Sequence, residues 1–255
     1  MSETFAVPTR CGKCDGCAIH HRAICIGAMP QEIAELNRIS HLRDYARGQV
    51  ILGQGEETSI VGNVVSGVVK LMTSTIGGQQ QIVGLLFPSD FFGRIFRDMS
   101  RFSYEAATDV TLCCMNRPAF ETFLSSHPQV ERELLRSKLD ELDSAREWIS
   151  VVGGHTTMQR VATFIYILSR RAGNRKYSDG TSRGPIISVP INRRDMAAYL
   201  GTTPETLSRN IHALSRRKVL RIIDARHFEL LNEAELMRQA GWSREDLENI
   251  TTFGI

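Results

Sequence analysis

The six cysteines are the residues of this chain most able to do chemistry, and all of them fall in two short stretches. The first stretch holds Cys11, Cys14, Cys17 and Cys25, and the second holds Cys113 and Cys114. Thiolates are soft ligands that suit iron–sulfur clusters or zinc. In a reducing compartment, clustered cysteines are more often metal ligands than disulfide partners. We therefore expect a thiolate-bound centre that brings the two stretches together, with a redox disulfide as the weaker alternative.

The first stretch needs such a centre in order to adopt one structure. Residues 1–28 combine Pro8 and three glycines with little apolar periodicity, so they are not expected to form a core of their own. We call these residues the cysteine-rich head. A bound group that joins the head to Cys113 or Cys114 would supply the missing order.

The second stretch falls in a segment, residues 29–125, whose pattern predicts a β-roll. Apolar spacing over residues 29–39 favours a short helix. Short apolar runs then alternate with glycine-containing turns over residues 45–120, which is typical of an antiparallel barrel or roll. Successive side chains of a strand point to opposite faces, so a slip of one residue would exchange Cys113 for Cys114.

Residues 154–255 predict a winged helix-turn-helix domain. Asn192 is expected to cap a first helix, Gly201 permits a left-handed turn, and Thr203 with Pro204 begins a second helix. Residues 219–231 follow as a wing-like pair of strands, and a small helix closes the domain. Three apolar residues would bury the inner face of the second helix: Leu207, Ile211 and Leu214.

The outer face of that second helix is suited to DNA. Residues 160–221 hold thirteen of the thirty-one Lys and Arg residues but three of the twenty-eight acidic ones, which favours a polyanionic partner. An arginine can pair with guanine O6 and N7, and a glutamate can accept from the cytosine amine. An ordinary solvated face is the alternative. The candidate DNA contacts are Thr203, Glu205, Ser208, Arg209 and His212, with Arg216 and Arg217 directed at phosphate.

Residues 126–153 predict a long helix, with Ser125 or Ser126 as its N-cap, Pro128 in its first turn and Gly153–Gly154 at its end. A narrow apolar seam runs along it: Leu135, Leu142 and Ile149 recur every seven residues, with Leu139, Ala145 and Val152 beside them. The seam either packs on the roll or faces a second subunit. We favour the second subunit because a protein that binds two-fold symmetric DNA needs a dimer.

Taken together, residues 30–235 resemble the CRP/FNR superfamily of dimeric transcription regulators. Residues 47–56 and 64–71 look like its signature glycines and strands, and the Glu-x-x-Ser-Arg of residues 205–209 matches the FNR branch. The resemblance implies an α+β protein with an N-terminal antiparallel β-roll, a dimerisation helix and a C-terminal winged helix-turn-helix. It further implies a homodimer that binds palindromes with TTGAT-type half-sites in double-stranded DNA and contacts RNA polymerase.

The head is similar to that of the FnrN and FnrL type of oxygen sensors, in which three N-terminal thiolates and one from the roll hold a [4Fe-4S] cluster. The resemblance implies Cys14, Cys17 and Cys25 as the first three ligands, and a gapless count back from Phe120 implies Cys113 as the fourth. Cys11 is an additional cysteine that could replace Cys14. Spacing alone does not distinguish iron from zinc, so the cluster rests on the resemblance, and a regulator that holds zinc or responds to nitric oxide is the alternative.

Several other classes are not expected. The cyclic-nucleotide branch of the superfamily has a Glu after Phe-x-Gly, where this chain has Arg94, and an Arg-Ser pair near Phe102–Ser103, so no cyclic nucleotide is expected. The chain offers no nucleophile with its base and no cofactor loop, which argues against an enzyme, including a haem or redox enzyme. The absence of an apolar run of eighteen residues and of a secretion leader predicts a cytoplasmic protein without a membrane anchor.

Overall fold

A computed structural model describes residues 14–74, 77, 80–172 and 184–242 of the chain. Contacts within the chain divide it into two compact units, Met1–Lys138 and Leu139–Ile255, and the division falls inside one long helix. Cys11 and the glycine-rich stretch 173–183 lie outside the described residues.

The first unit is an antiparallel β-roll with helices before and after it. In chain order its elements are α1 (Pro30–Ile39), β1 (Ser40–Tyr45), β2 (Val50–Leu52), β3 (Ile60–Ser66), β4 (Val69–Ser74), β5 (Gln80–Leu86), β6 (Phe91–Phe92), β7 (Ser103–Ala106), β8 (Val110–Asn116) and α2 (Arg117–Ser126). The strands form two four-stranded sheets with the orders β1-β8-β3-β6 and β2-β7-β4-β5. The long helix α3 (Pro128–Gly154) follows α2.

Two apolar cores lie on opposite sides of the sheet that contains β8. The inner core of the roll includes Val64, Phe92 and Leu112. On the outer side, α1, α2 and the first two turns of α3 pack on the sheet through residues that include Leu36, Phe120, Val130 and Leu134. The outer face of β8 is therefore covered by other elements of the same unit.

The helix α2 was not expected from the sequence. The side chain of Asn116 caps it by accepting from the backbone N–H of Ala119, at 3.2 Å. Ser125 and Ser126 lie in its last turn, and the Ser125 hydroxyl donates to the carbonyl of Thr122. The prediction that either serine caps α3 was therefore wrong, because both residues belong to the preceding helix.

The second unit is a helix-turn-helix domain with a wing. After its part of α3, its elements are α4 (Thr157–Ala172), β9 (Ile186–Ser188), α5 (Arg193–Tyr199), α6 (Pro204–Arg216), β10 (Leu220–Ile222), β11 (His227–Leu230) and α7 (Glu233–Ala240). The strands form one antiparallel sheet of order β10-β11-β9. Trp148 of α3 stacks on Tyr199 of α5, with ring centroids 4.6 Å apart. This contact joins the end of the long helix to the first helix of the motif.

Candidate metal centre and nucleic-acid interface

Strand β8 points its two cysteines to opposite faces of the sheet. Cys114 is fully buried in the inner core of the roll with Leu112 and Val110. Cys113 is half-buried and lies on the other face, where it pairs across the sheet with Asn63 of β3 and Leu42 of β1. Of the two cysteines, Cys113 is the one available to a group bound outside the roll.

The described part of the head packs on this same outer face. Ile19 and Ala23 of the head are buried against Val65 of β3, and the thiols of Cys17, Cys25 and Cys113 pack against that cluster. Two short 3-10 turns, Cys14–Gly16 and Ile24–Gly27, carry the first and last of the described head cysteines. The fold thus brings together residues that the sequence separates widely.

The four thiols lie near enough to one another to affect each other's pKa. Burial raises the pKa of Cys25 to about 11, and the neighbouring Cys17 and Cys14 thiols contribute to this increase. Burial likewise raises the pKa of Cys113 to about 12, with further increases from Cys14, Cys17 and Cys25 and an opposing hydrogen bond from Ser40. At neutral pH the Cys25 and Cys113 thiols are therefore protonated, and binding a metal through them must release their protons.

The residues present fit a thiolate-ligated cluster. Four soft sulfur donors from the head and β8 interact with one another, which is the donor set that a [4Fe-4S] cluster requires. Among the described residues, no group of three His, Cys, Asp or Glu side chains is arranged to hold a single metal ion. The Cys14 thiol also donates to the Asn37 carboxamide at 3.6 Å. The choice between Cys14 and Cys11 stays a prediction, since Cys11 is outside the described residues.

The head also contacts the start of α3, which the sequence did not indicate. Ile24, the neighbour of Cys25, is buried in one cluster with Val130 and Leu134 of α3. A methyl group added to Gly27 would lie 2.6 Å from Cγ of Glu133, so a larger residue there would force the Glu133 side chain to move. A change at Cys25 can therefore reach the long helix through direct packing.

The helix-turn-helix is built as its sequence predicts. The side chain of Asn192 caps α5 and that of Thr203 caps α6, each by accepting a backbone N–H three residues on. Gly201 adopts the left-handed conformation at φ 60° in the turn between them. Leu207, Ile211 and Leu214 are fully buried on the inner face of α6.

The outer face of α6, here called the recognition helix, is open to a partner. Glu205, Arg209 and His212 are exposed and Ser208 is half-buried. Hydrogen bonds from its own backbone N–H and from the Thr203 hydroxyl lower the pKa of Glu205, and the charge of Arg209 adds to this. Glu205 is therefore a carboxylate at neutral pH, able to accept a hydrogen bond from a base.

The basic residues of the helix-turn-helix domain have different partners, and the phosphate contacts proposed for Arg216 and Arg217 stay predictions. Arg216 and Arg217 are both exposed, and Arg217 also donates to the side chain of Gln239 on α7. Arg160 of α4, which sequence reasoning did not single out, donates from Nη1 to the carbonyls of Leu200 and Gly201, each at 3.3 Å. Arg160 thereby fixes the turn of the motif, a role that depends on the packing of α4 and left no local signal.

Comparisons with known proteins match both units. The family model of the cyclic nucleotide-binding domain matches residues 42–127, and that of the Crp-like helix-turn-helix domain matches residues 159–239. The chain is 38% identical to the transcriptional activator protein FnrL of Cereibacter sphaeroides, over 92% of this chain and 94% of FnrL. It is 30% identical to the nitrogen fixation regulation protein FixK of Bradyrhizobium diazoefficiens, over 82% of this chain and 86% of FixK. The structure of FixK2 from Bradyrhizobium japonicum aligns with a TM-score of 0.71 at 28% identity, covering 80% of this chain and 99% of FixK2.

The chain belongs to the Crp/FNR family. The resemblance drawn from its residues is thus confirmed, as are the predicted α+β fold and the predicted DNA-binding regulatory function. The relatives of this Crp/FNR protein are transcription regulators, which also confirms the prediction that the chain is not an enzyme. Within the described residues, none of its helices combines the length and apolar character that a bilayer crossing requires.

The seam of this Crp/FNR protein lies along one exposed side of α3. Its four large apolar side chains are between 45 and 70% exposed in the single chain, and Ala145 is also exposed. Val152 is half-buried and lies close to Gly201 of the recognition motif. The four exposed residues are Leu135, Leu139, Leu142 and Ile149.

The positions that distinguish the cyclic-nucleotide branch lie in and beside one loop of the roll. Arg94 and Arg101 are both exposed in this Crp/FNR protein. The hydroxyl of Ser103 accepts from the backbone N–H of Gln54, at 2.9 Å. Ser103 is thus engaged with the roll itself, and the expectation that no cyclic nucleotide binds stays a prediction.

Proposed function

We propose that this protein is an oxygen-responsive, dimeric transcription activator of anaerobic and microaerobic genes. The cofactor would be a [4Fe-4S] cluster held by Cys14, Cys17, Cys25 and Cys113. Its DNA sites would be palindromes with TTGAT-type half-sites, where the bound dimer contacts RNA polymerase. The observation that carries the proposal is the packing of Cys17 and Cys25 of the head with Cys113 of β8 on one face of the roll.

The bound cluster supplies an inorganic crosslink that oxygen destroys. The protein's own residues explain how such a crosslink would matter. The described head buries three apolar side chains: Ile19 and Ala23 against Val65, and Ile24 in the cluster that includes Val130 of α3. So small a buried surface gives the head limited attachment of its own. Holding Cys25 in place also holds Ile24 and Gly27 against Val130 and Glu133 of α3.

The long helix α3 would couple the attachment of the head to dimerisation. Apolar side chains 45–70% exposed along a helix favour a partner surface, and a second copy of the seam is the partner that two-fold symmetric DNA demands. Two recognition helices in such a dimer must lie about 34 Å apart to enter successive major grooves on one face of the DNA. The relatives' names, a transcriptional activator and a nitrogen fixation regulator, support activation as the outcome.

The recognition helix supports the proposed site specificity. Arg209 is exposed and keeps its guanidinium near the helix start by donating to the Thr206 hydroxyl at 3.1 Å. Glu205 lies one turn earlier on the same exposed side. A carboxylate can accept from the amine of a C and a guanidinium can donate to a G, and these are the two bases of the single G·C pair in a TTGAT half-site.

The proposal is tested on protein purified under nitrogen. We expect a brown protein with about four irons and four acid-labile sulfides per chain, which binds a TTGAT palindrome tightly and loses both the visible absorbance and DNA binding on exposure to air. Zinc in place of iron would favour the structural-metal alternative. Colourless, iron-free protein that still binds its site tightly would refute the oxygen switch.

A further inference from the structure

One polar side chain on the outer face of the roll lacks a partner although it is buried. Asn63 of β3 is only 4% exposed, and its carboxamide oxygen accepts no hydrogen bond from the residues that the structure describes. Buried polar groups are nearly always paired, and an exception calls for a physical reason such as a redox role or an absent ligand. An apolar side chain would pack at this position without that cost.

The register of the sheet places Asn63 beside the proposed fourth ligand. Asn63 is the direct cross-strand partner of Cys113, as Val61 is of Met115. Directly opposed residues of an antiparallel pair have Cβ atoms about 4.5–5.5 Å apart, on the same face of the sheet. The side chains of Asn63 and Cys113 are therefore neighbours on the outer face of the sheet.

The neighbours of Asn63 along β3 on this face, and Met115 of β8, are apolar. Val61 and Met115 belong to the apolar cluster under α1 and α2, and Val65 packs with Ile19 and Ala23 of the head. A thiolate sulfur, by contrast, accepts hydrogen bonds, and such bonds to the sulfurs are among the features that set the potential of an iron–sulfur cluster. The carboxamide carries two N–H donors and can turn either of its ends toward the sulfur by rotating about its last bond.

We propose, resting on the cluster assigned above, that Asn63 is a positioning residue: it donates an amide N–H to the Cys113 sulfur when the cluster is bound and thereby slows the loss of the cluster in air. Asn63 does not itself bind metal and acts through Cys113. A donor to a thiolate stabilises its negative charge, so electrons are removed from the centre less readily. Replacing the donor makes the centre easier to oxidise.

The test compares full-length variants purified under nitrogen and mixed with air-saturated buffer. Asn63→Leu, which keeps the size of the side chain but has no donor, is expected to lose the visible absorbance about tenfold faster than the natural sequence and to show a lower reduction potential. Asn63→Thr restores an O–H donor and is expected to recover part of the difference, whereas Asn63→Val, of the same shape, is not.

The matched control is Thr58→Val. Thr58 carries the other buried side-chain oxygen without a partner in the described part of the roll, at the loop before β3. Its replacement is expected to leave the decay rate and the potential unchanged. The cluster-free forms add a second readout: Asn63→Leu should be no less stable to urea than the natural sequence, because it removes an unpaired buried oxygen.

Two results would overturn the inference while leaving the proposed function intact. One is an Asn63→Leu protein that carries iron and decays at the natural rate with the natural potential. The other is equal decay of the Thr and Val variants, since that would show no dependence on a donor. Protein of the natural sequence that contains no iron when purified under nitrogen would instead refute both this inference and the proposed function.

Discussion

The recognition helix takes its geometry from one short segment, whereas the cysteine-rich head takes its geometry from a strand far along the chain. Between Asn192 and Leu214 the chain supplies both caps, the left-handed turn and the buried inner face. The head supplies three thiols, and its fourth neighbour is Cys113 of β8. The helix-turn-helix is thus built within one segment of the chain, while the head, in the function proposed above, is joined to the roll by a bound group.

This difference suggests a division of labour. A DNA-binding surface that forms from local interactions needs no signal in order to fold, and in the proposed function regulation acts on its pairing with a second copy. A head held by few apolar contacts is suited to release, because its attachment can be lost without unfolding the roll. The helix α3, which touches Ile24 at its start and carries the exposed seam, is the element that can link the two.

The largest effect is expected at the two neighbouring cysteines. Cys113→Ala should abolish iron binding and anaerobic DNA binding, whereas Cys114→Ala should keep both and cost about 1–2 kcal/mol of roll stability, because Cys114 fills the inner core. Iron and sulfide assays and urea unfolding of both variants measure this. Iron retained by Cys113→Ala but lost by Cys114→Ala would mean that the register of β8 has been assigned to the wrong face.

The next largest effect is expected at the seam. Ile149 is 70% exposed, so Ile149→Asp should change the stability of the single chain by no more than about 0.5 kcal/mol. Burying two like charges in the dimer should nevertheless weaken dimerisation by at least a hundredfold. Sedimentation of the anaerobic protein checks this, with Ser150→Asp on an exposed neighbouring position as the control. An unchanged dimer would place the interface elsewhere.

A tenfold to hundredfold loss of DNA affinity is expected when the recognition helix is changed. Arg209→Ala should cost about 1–3 kcal/mol of DNA affinity and relax the preference at one base pair. Arg216→Ala should weaken binding to all sequences alike and reduce the salt dependence by about one ion. Arg217→Ala should matter less, because its guanidinium is engaged by Gln239. Binding titrations on specific and scrambled sites at several salt concentrations separate the three outcomes.

A smaller effect is expected where the head meets α3. Gly27→Ala places a methyl group against Glu133 and should cost about 1–3 kcal/mol of the head's attachment through overpacking. We expect iron to bind but dimerisation to weaken, which a paired measurement of iron content and sedimentation would show. Gly16→Ala is the control, since the same methyl group there meets no neighbour. If both variants dimerise equally well, the contact between Gly27 and Glu133 does not couple the head to dimerisation.

The recognition motif is built from local interactions and the head from distant ones, and this difference explains which features the sequence could predict. Caps, turn and inner face of the motif have local signatures, so Asn192, Gly201 and Thr203 were identified in their structural roles. The sequence does not predict α2 although Asn116 caps it, because the helix follows directly on a strand, inside the segment whose pattern predicts the roll. Arg160, Gly27 and Asn63 left no signal, since their importance lies in residues that only the fold brings near.

The smallest effect is expected at the cap of the recognition helix. The Thr203 hydroxyl accepts from the Thr206 N–H at 3.2 Å, so Thr203→Ala should cost about 1 kcal/mol of domain stability, while Thr203→Ser should cost little. If Thr203 only caps, the loss of DNA affinity should be no greater than about fivefold and the Ser variant should match the natural protein. A much larger loss of affinity at unchanged urea stability would mean that the hydroxyl also touches DNA. Comparing the urea stability and the DNA affinity of these two variants therefore decides whether the DNA-binding surface includes Thr203 or begins after it.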